Sequence, residues 1–546
     1  MELSSYQSKI IKFFKENPHD NILVKALAGT GKSTLICLLT EETSTSDIYV
    51  AFNSSIAEEF RNKIKNPKTK VMTLHSLGLA IMNHNLKEKS NKGGGIGSRG
   101  SSIGGANLDN FKVHKIIDEL IYETFGKYDK FEHKVFIKDN YVQLYNLCRL
   151  TCTDMSDEDA VERLIEDYNL FTDYSGNDFS APLISTMLIW LEQIDEKSLK
   201  EFELTSTIDF SDMLYITYKK LSSGAWQVPY YNYYTNIYID EAQDLSTIQL
   251  FLLKFIKRKG GRYVFVLDEN QAIYSFAGGN AKSCALIPKL YAPVNTFDLP
   301  INYRCPKSHL ARVNKDFGIP IQPRPDAPEG MIKTIDKSQI KKYIHAGDMV
   351  ISRKNKWLGE VILDLAIHGI PVYMEDKEMV EQVKKLVSNQ KASSLYELKN
   401  KLNKIIQKYN TQLEKIVSRE TEKAEEDTKK MLEVIDTNSK IDNVNFVKSI
   451  LAYYSAQSMN KYSKPDDFSR YIDTLLNTKS ASHCVRICSV HKAKGLEAPQ
   501  TFVLNEAKVC IDKRNSWEQN EQEKNLSYIS ITRAQENLFL VRETDA

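Results

Sequence analysis

Eight residues near the amino terminus, Ala26-Leu-Ala-Gly-Thr-Gly-Lys-Ser33, constrain the fold more than any other stretch. The run Asn21-Ile-Leu-Val-Lys-Ala26 reads as a short strand entering the loop, and Lys32 to Leu39 reads as a helix leaving it. Glycines at such a junction let backbone N–H groups approach an anion, and the helix turns its positive end toward the same point. The stretch fits the phosphate-binding loop pattern, with Ala26 in place of the first glycine. Lys32 then offers a point charge to the β- and γ-phosphates of a nucleotide, and Ser33 a hydroxyl to Mg²⁺. Ala28, Gly29, Thr30, Gly31 and Thr34 complete the expected cradle.

A strand–loop–helix unit needs parallel neighbours, and the sequence supplies them. Ile48–Phe52 and Lys70–Leu74 read as further short strands, each followed by a helical or loop segment. From about residue 80 to 200 the pattern turns helical, with 3,4-spaced apolar positions at Phe111–Phe125 and Ala160–Tyr168. Strands return at Asn236–Asp240 and Arg262–Leu267, and the Pro-rich Gly318–Pro328 reads as a connector. A second α/β unit begins at Met349–Ile351 and Ile370–Tyr373, and resumes at Val485–Val490, Thr501–Leu504 and Asn537–Val541. Between its halves, Leu395, Leu398, Leu402, Ile405, Tyr409 and Ile416 form a helical stripe. Its register fails at Gln412 and Arg419, so it is expected to pack within a subdomain or hairpin rather than in a long coiled coil.

The expected architecture is therefore α/β, with two cores each interrupted by a mostly helical insertion. Residues 1–80 and 200–300 form the first core and 81–199 its insertion, with a flexible Gly/Ser loop at 93–105. Residues 301–376 and 471–546 form the second core, and 377–470 its insertion. A literal GxGxxG at Gly95, Gly97 and Gly100 has no strand before it and no clear helix after it, so it is not read as a dinucleotide motif.

At 546 residues the chain is too long for one core. A net charge of +2 argues against a simple basic DNA-binding module but not against a motor gripping a strand in a local groove. There is no run of about 18 apolar residues, so no membrane span is expected. The start lacks the basic-then-apolar pattern of a secretory signal. Cys37, Cys148, Cys152, Cys284, Cys305, Cys484, Cys488 and Cys510 form no CxxC and are expected to be reduced thiols in a cytoplasmic setting. Thirteen residues follow Arg533, so a fused nuclease or partner-binding tail is not expected.

Asp240-Glu-Ala-Gln-Asp244 follows an expected strand. A carboxylate at a strand end can hold the Mg²⁺ shell and its neighbour can orient an attacking water, so Asp240 is assigned to the metal and Glu241 to the water.

With these motifs in place the chain resembles the superfamily 1 helicases of the UvrD/Rep/PcrA type. The F-box DNA helicases are a related branch, similar around the phosphate loop. The resemblance runs in order through nearly the whole chain. Besides Gln7 and Ala26–Ser33 it includes Ala51-Phe-Asn53, Thr73-Leu-His-Ser76, Asp209-Phe-Ser-Asp-Met-Leu214, Asp240–Asp244 and Asp268-Glu-Asn-Gln-Ala-Ile-Tyr-Ser-Phe-Ala-Gly278. It continues with Asn302-Tyr-Arg304, Ser352-Arg-Lys-Asn355, Val490–Glu497 and Tyr528–Ala534. One departure is Ala277, which stands where the family usually carries Arg. Another is an insertion before the last motifs that is shorter than in bacterial repair helicases.

The resemblance implies two RecA-like cores, ATP as the nucleotide and movement in the 3′-to-5′ direction. It implies that Gln7 reads the adenine, Tyr303 stacks on it, and Glu497 reaches the ribose or neighbouring motifs. Gln271 would sense the γ-phosphate, and Arg304 and Arg533 would act as arginine fingers. On the strand side, Phe52, Tyr274 and Phe276 are aromatics at loop positions, and aromatic faces stack on bases regardless of sequence. Asn53, His75, Arg353, Asn355 and His491 are the candidate backbone contacts. The expected activity is ATP-dependent unwinding along single-stranded and tailed duplex DNA by an isolated monomer, with replication, repair or nuclease partners possible. Three alternatives stay open: a non-unwinding DNA-stimulated ATPase or translocase subunit of a defence or recombination complex, a binding scaffold with a dead ATPase, and an RNA substrate.

Overall fold

The computed structural model describes residues 3–92, 105–125, 131–168, 170–171, 184–273, 281–353, 355–375, 377–418, 465–476, 483–505 and 517–542, with isolated positions between 444 and 455. Nearly all of the Gly/Ser loop at 93–105, with its GxGxxG, and Cys510 lie outside the described residues. The fold is mixed α/β, and the chain divides into two units, one running to Pro300 and one from Ile301.

The first unit is built on a six-stranded parallel sheet. Its order is Thr69–Thr73, Asp47–Ala51, Tyr234–Ile239, Lys257–Leu267, Asn21–Ala26 and Val294–Leu299. Side chains alternate across the sheet, as the two-residue period of a strand requires. Ile22, Val24, Tyr49, Tyr238, Val264 and Val266 share a core with Ile10, Phe14, Leu35, Ile36 and Phe60 of the helices Ser5–Glu16, Lys32–Glu41 and Ser54–Lys63. Leu23, Ile48, Val50, Ile237, Ile239 and Phe265 share the opposite core with the helices Leu74–Lys92, Asp212–Ser222 and Thr247–Leu253. Burial on both faces explains why the central strands read as near-continuous apolar runs.

The helices Lys112–Phe125, Phe131–Thr151, Glu158–Tyr168 and Ile184–Thr205 enclose a separate core, including Ile117, Leu144, Tyr145, Val161, Leu191 and Ile194. Asn107–Leu108 pairs with Thr207–Ile208, which ties the two ends of this helical segment together.

The second unit holds another six-stranded parallel sheet, ordered Met331–Asp336, Ala534–Arg542, Ala498–Leu504, Met349–Ser352, Val485–Ser489 and Val372–Met374. Leu395, Leu398 and Leu402 of the helix Leu395–Val417 bury in its core beside Phe468 and Ile472, so the stripe packs inside the unit. The side chain of Ile416 lies outside the described residues.

Val294–Leu299 and Met331–Asp336 were not legible as strands because both are partly exposed edges whose residues form neither a continuous apolar run nor a two-residue alternation. The expected connector Gly318–Pro328 contains Gln322–Pro323, which pairs with Ile301–Asn302. None of the seven described cysteines forms a disulfide. No described helix is long and apolar enough to cross a membrane.

Candidate functional site

In the first sheet, most of the residues singled out above gather at the carboxyl ends of the strands, where a parallel α/β sheet opens its crevice. The loop after Asn21–Ala26 reaches the helix Lys32–Glu41 through two left-handed glycines, Gly29 at φ 66° and Gly31 at φ 83°. Thr30 folds back on the loop, its hydroxyl donating to the Leu27 carbonyl at 2.8 Å. Gln7 is set by a capping box: Ser4 N–H donates to Gln7 Oε1 at 3.1 Å and Gln7 N–H to Ser4 Oγ at 3.1 Å. With its oxygen so held, the buried Gln7 Nε2 is left with no hydrogen-bond partner, and it lies 3.1 Å from where a Cβ on Gly31 would sit. A buried amide donor beside an anion loop is a group in want of an acceptor.

Lys32 Nζ lies 3.4 Å from Glu241 Oε1, both side chains being largely enclosed. Glu241 stands at φ 51°, ψ 41°, a left-handed conformation that is uncommon for a non-glycine residue. Beside it Asp240 accepts from Tyr49 Oη at 2.9 Å and from the Glu241 N–H at 2.9 Å. Burial, with the charge of Glu241, pushes the Asp240 carboxyl up to about 6. Gln243 links the parts: its Nε2 donates to Glu241 Oε2 and its Oε1 accepts from the Asp268 N–H at 3.0 Å. Gln271 Nε2 in turn donates to Asp268 Oδ2 at 2.6 Å. Burial raises the Asp268 carboxyl as well. Lys32, Asp240, Glu241 and Gln271 thus belong to one buried polar cluster. Sequence reading gave no role to Tyr49, Gln243 or Asp268, although the last two stand inside quoted motifs.

After the two neighbouring strands, Asp47–Ala51 and Thr69–Thr73, Phe52, Asn53, Thr73, His75 and Ser76 line a cavity of about 630 Å³ together with Phe210, Ser211, Asn146 and Gln249. Asn53 caps the helix Ser54–Lys63, its Oδ1 accepting from the Ile56 N–H at 2.9 Å. The Thr73 hydroxyl accepts from the Ser76 N–H at 3.2 Å, so a second helix start opens on the same space. His75 stacks on Phe210 with ring centroids 4.0 Å apart and planes at 21°. Burial lowers the His75 imidazole to about 4, so at neutral pH it is an uncharged ring rather than a cation for a phosphate. Phe210 is 54% exposed and sequence reading assigned it no role, its one signal being a large apolar residue between two aspartates. Tyr274 and Phe276, with Ala277, lie outside the described residues.

In the second unit the expected residues fall at opposite ends of the sheet. At the amino ends of Ala498–Leu504 and Ala534–Arg542, Arg304 Nε lies 2.6 Å from Glu497 Oε2 and its Nη1 donates to the Thr532 carbonyl at 3.3 Å. Gln535 Nε2 donates to Glu497 Oε1 at 3.0 Å. Arg533 donates from Nε to the Ile529 carbonyl at 3.0 Å and from Nη1 to the Leu496 carbonyl at 3.2 Å. Tyr303, adjoining Arg304, is half-buried. At the carboxyl ends of Met349–Ser352 and Val485–Ser489 stand Arg353 and His491. Arg353 forks onto Glu523, with Nε at 3.0 Å and Nη2 at 2.7 Å from Oε1. Burial, with the charges of Arg353 and Lys494, lowers the His491 imidazole to about 4. Asn355 opens the helix Asn355–Ile367, and its side chain lies outside the described residues.

A family model described as the UvrD/REP helicase N-terminal domain matches residues 5–291, more than half of the chain. The RecBCD enzyme subunit RecB of Borreliella burgdorferi is 33% identical over 132 residues, covering 23% of this chain and 11% of that protein. The ATP-dependent DNA helicase PcrA of Staphylococcus aureus is 28% identical over 117 residues, covering 21% of this chain and 16% of the relative. PcrA of Staphylococcus epidermidis is 25% identical over 141 residues, covering 26% and 18% respectively. The matched stretches thus span less than a fifth of each relative's own length.

Proposed function

Because the chain belongs to the UvrD/REP helicase family, we propose that it is an ATP-dependent motor that moves on single-stranded DNA and unwinds duplex. The observation that carries this reading is that the phosphate loop, the carboxylate cluster and an aromatic-lined cavity all lie at the carboxyl ends of one sheet's strands. The phosphate loop, Asp240–Glu241 and Gln271 follow three of its strands. The aromatic cavity follows the two strands beside them, Asp47–Ala51 and Thr69–Thr73.

In this reading Gln7 Nε2 donates to an acceptor on the adenine, Gly29 to Ser33 wrap the phosphates, and Lys32 exchanges Glu241 for phosphate oxygen. The residues fit Mg²⁺, which takes one or two carboxylates and leaves the rest of its shell to phosphate and water. Ser33 and the buried, charge-crowded Asp240 would hold it. When bound, it neutralises charge on the β- and γ-phosphates. Glu241, released from Lys32 and held by Gln243, orients the attacking water. Gln271 reports the γ-phosphate through Asp268. The two sheets act as two RecA-like cores, and Arg304 and Arg533 of the second exchange their present partners for the transferred phosphoryl group. Phe52 and Phe210 offer stacking faces to bases, with His75 behind Phe210, while Asn53, Arg353, Asn355 and His491 meet the backbone. Movement from 3′ to 5′ is taken from the resemblance to the UvrD-type helicases alone, since no residue of the site encodes a direction.

The likeness to a RecBCD subunit favours a second reading, in which the same motor works inside a larger recombination complex. Lys32→Ala tests the common core. It is expected to abolish oligonucleotide-stimulated ATP turnover while retaining part of the strand affinity. Unchanged stimulated turnover would show that the nucleotide site is misplaced.

A further inference from the structure

Four charged side chains lie buried together in the first unit, and the mechanism above uses none of them. The side chains of Arg149, Lys112 and Asp212 are 0% exposed and that of Asp209 is 10% exposed. Arg149 Nη1 lies 2.7 Å from Asp212 Oδ1, and its Nη2 lies 2.7 Å from Asp209 Oδ2. Lys112 Nζ lies 2.8 Å from Asp212 Oδ2. The Arg149 guanidinium also sits 4.3 Å over the Tyr145 ring. Two cations facing two carboxylates balance the charge, which makes the burial tolerable. Well-packed apolar residues would be as stable, so stability alone is a weak account of the cluster.

The geometry supplies a better one. The same two carboxylates close the turn they belong to: Asp212 N–H donates to Asp209 Oδ1 at 2.8 Å and Asp209 N–H to Asp212 Oδ2 at 3.0 Å. Phe210 and Ser211 are the two residues inside that turn. Asn146 accepts from Arg149 Nη2 and from Ser211 Oγ, and it lines the aromatic cavity beside Phe210. Lys112 and Arg149 come from the helices Lys112–Phe125 and Phe131–Thr151 of the helical segment.

We propose that Arg149, with Lys112, is a positioning residue for strand binding. The two cations clamp the Asp209–Asp212 turn, hold Phe210 against His75, and so make the stacking face depend on the seating of the helical segment. The inference rests on the reading of the cavity as the strand site.

Anisotropy of a fluorescein-labelled oligothymidylate bound to the full chain tests it. Phe210→Ala is expected to weaken binding about ten-fold, the loss of one stacked base. Arg149→Lys keeps the charge but loses the fork that spans two carboxylates. It is expected to weaken binding by a similar factor, with strand-free ATP turnover unchanged. Added to Phe210→Ala it costs nothing more; added to Phe52→Ala it costs its full factor. Equal losses in both backgrounds, or no loss in Arg149→Lys alone, overturn the clamp. Native affinity in Phe210→Ala overturns the reading of the cavity itself, which separates the two failures. Should Arg149→Lys not fold, Asp209→Asn takes its place in the same comparison, since it keeps an acceptor for the Asp212 N–H and turns the oxygen that meets Arg149 Nη2 into a donor that cannot receive it.

Discussion

Asp240 is where burial and chemistry conflict most sharply. Its carboxyl stands at about 6 against an ordinary 3.8, first because it is buried and second because Glu241 adjoins it. A carboxyl raised in the folded state favours folding when protonated. The penalty for its ionisation is absent below about pH 4, grows up to about pH 6, and is present in full above that. At neutral pH it is on the order of 3 kcal/mol. Asp240→Asn is therefore expected to raise the thermal midpoint of the nucleotide-free protein at neutral pH, and to lose the further rise that MgATP gives the native chain. A midpoint that falls would contradict this. In the native chain, the Mg²⁺ concentration for half-maximal ATP turnover should climb about ten-fold per pH unit below 6, because a proton must leave for the metal to bind.

Gln243 gives a second residue-scale prediction. Gln243→Ala frees Glu241 and uncouples it from Asp268, and kcat should drop about 10²-fold, the usual worth of a positioned general base, with KM for ATP little changed. A raised KM with normal kcat would assign Gln243 to binding instead. Lys32 and the Asp240–Glu241 pair, which the fold brings together, could be singled out in sequence because loop chemistry and strand-end carboxylates are local signals. Gln243, Asp268 and Phe210 were not assigned roles, because theirs come from contacts between segments far apart in the chain.

The same distinction holds for elements. The buried stretch Tyr263–Leu267 of a central strand announces itself by a continuous apolar run, whereas the edges Val294–Leu299 and Met331–Asp336 mix apolar and polar residues without a regular period and do not. The loop-to-helix junction is the element on which the nucleotide site depends. Gly31 stands at φ 83°, and a Cβ there would meet Gln7 Nε2 at 3.1 Å. Gly31→Ala combines backbone strain with displacement of the Gln7 amide. ATP affinity should fall at least ten-fold, roughly the 1 kcal/mol or more that a left-handed non-glycine costs plus the disturbed donor. Strand affinity measured without nucleotide should stay native. Loss of both would mean that the substitution unfolds the sheet edge rather than the cradle.

At the scale of the molecule, the ordered run of motifs is a property of the sequence alone, while the placement of the candidate residues along the sheets is set by the fold. The first sheet places the nucleotide cluster and the aromatic cavity along one edge. The second separates Arg304, Glu497 and Arg533 at the amino ends of its strands from Arg353 and His491 at the carboxyl ends. No single motif reveals that separation, because it is a property of strand order and register. The central claim is that ATP turnover drives this chain along a strand in one direction. The most direct measurement is displacement of a labelled oligonucleotide from duplexes carrying a 3′ or a 5′ single-stranded tail, with MgATP and with the Lys32→Ala protein as control. The account predicts release from the 3′-tailed duplex by the native chain alone. Equal release from both duplexes, or release by Lys32→Ala, would contradict it.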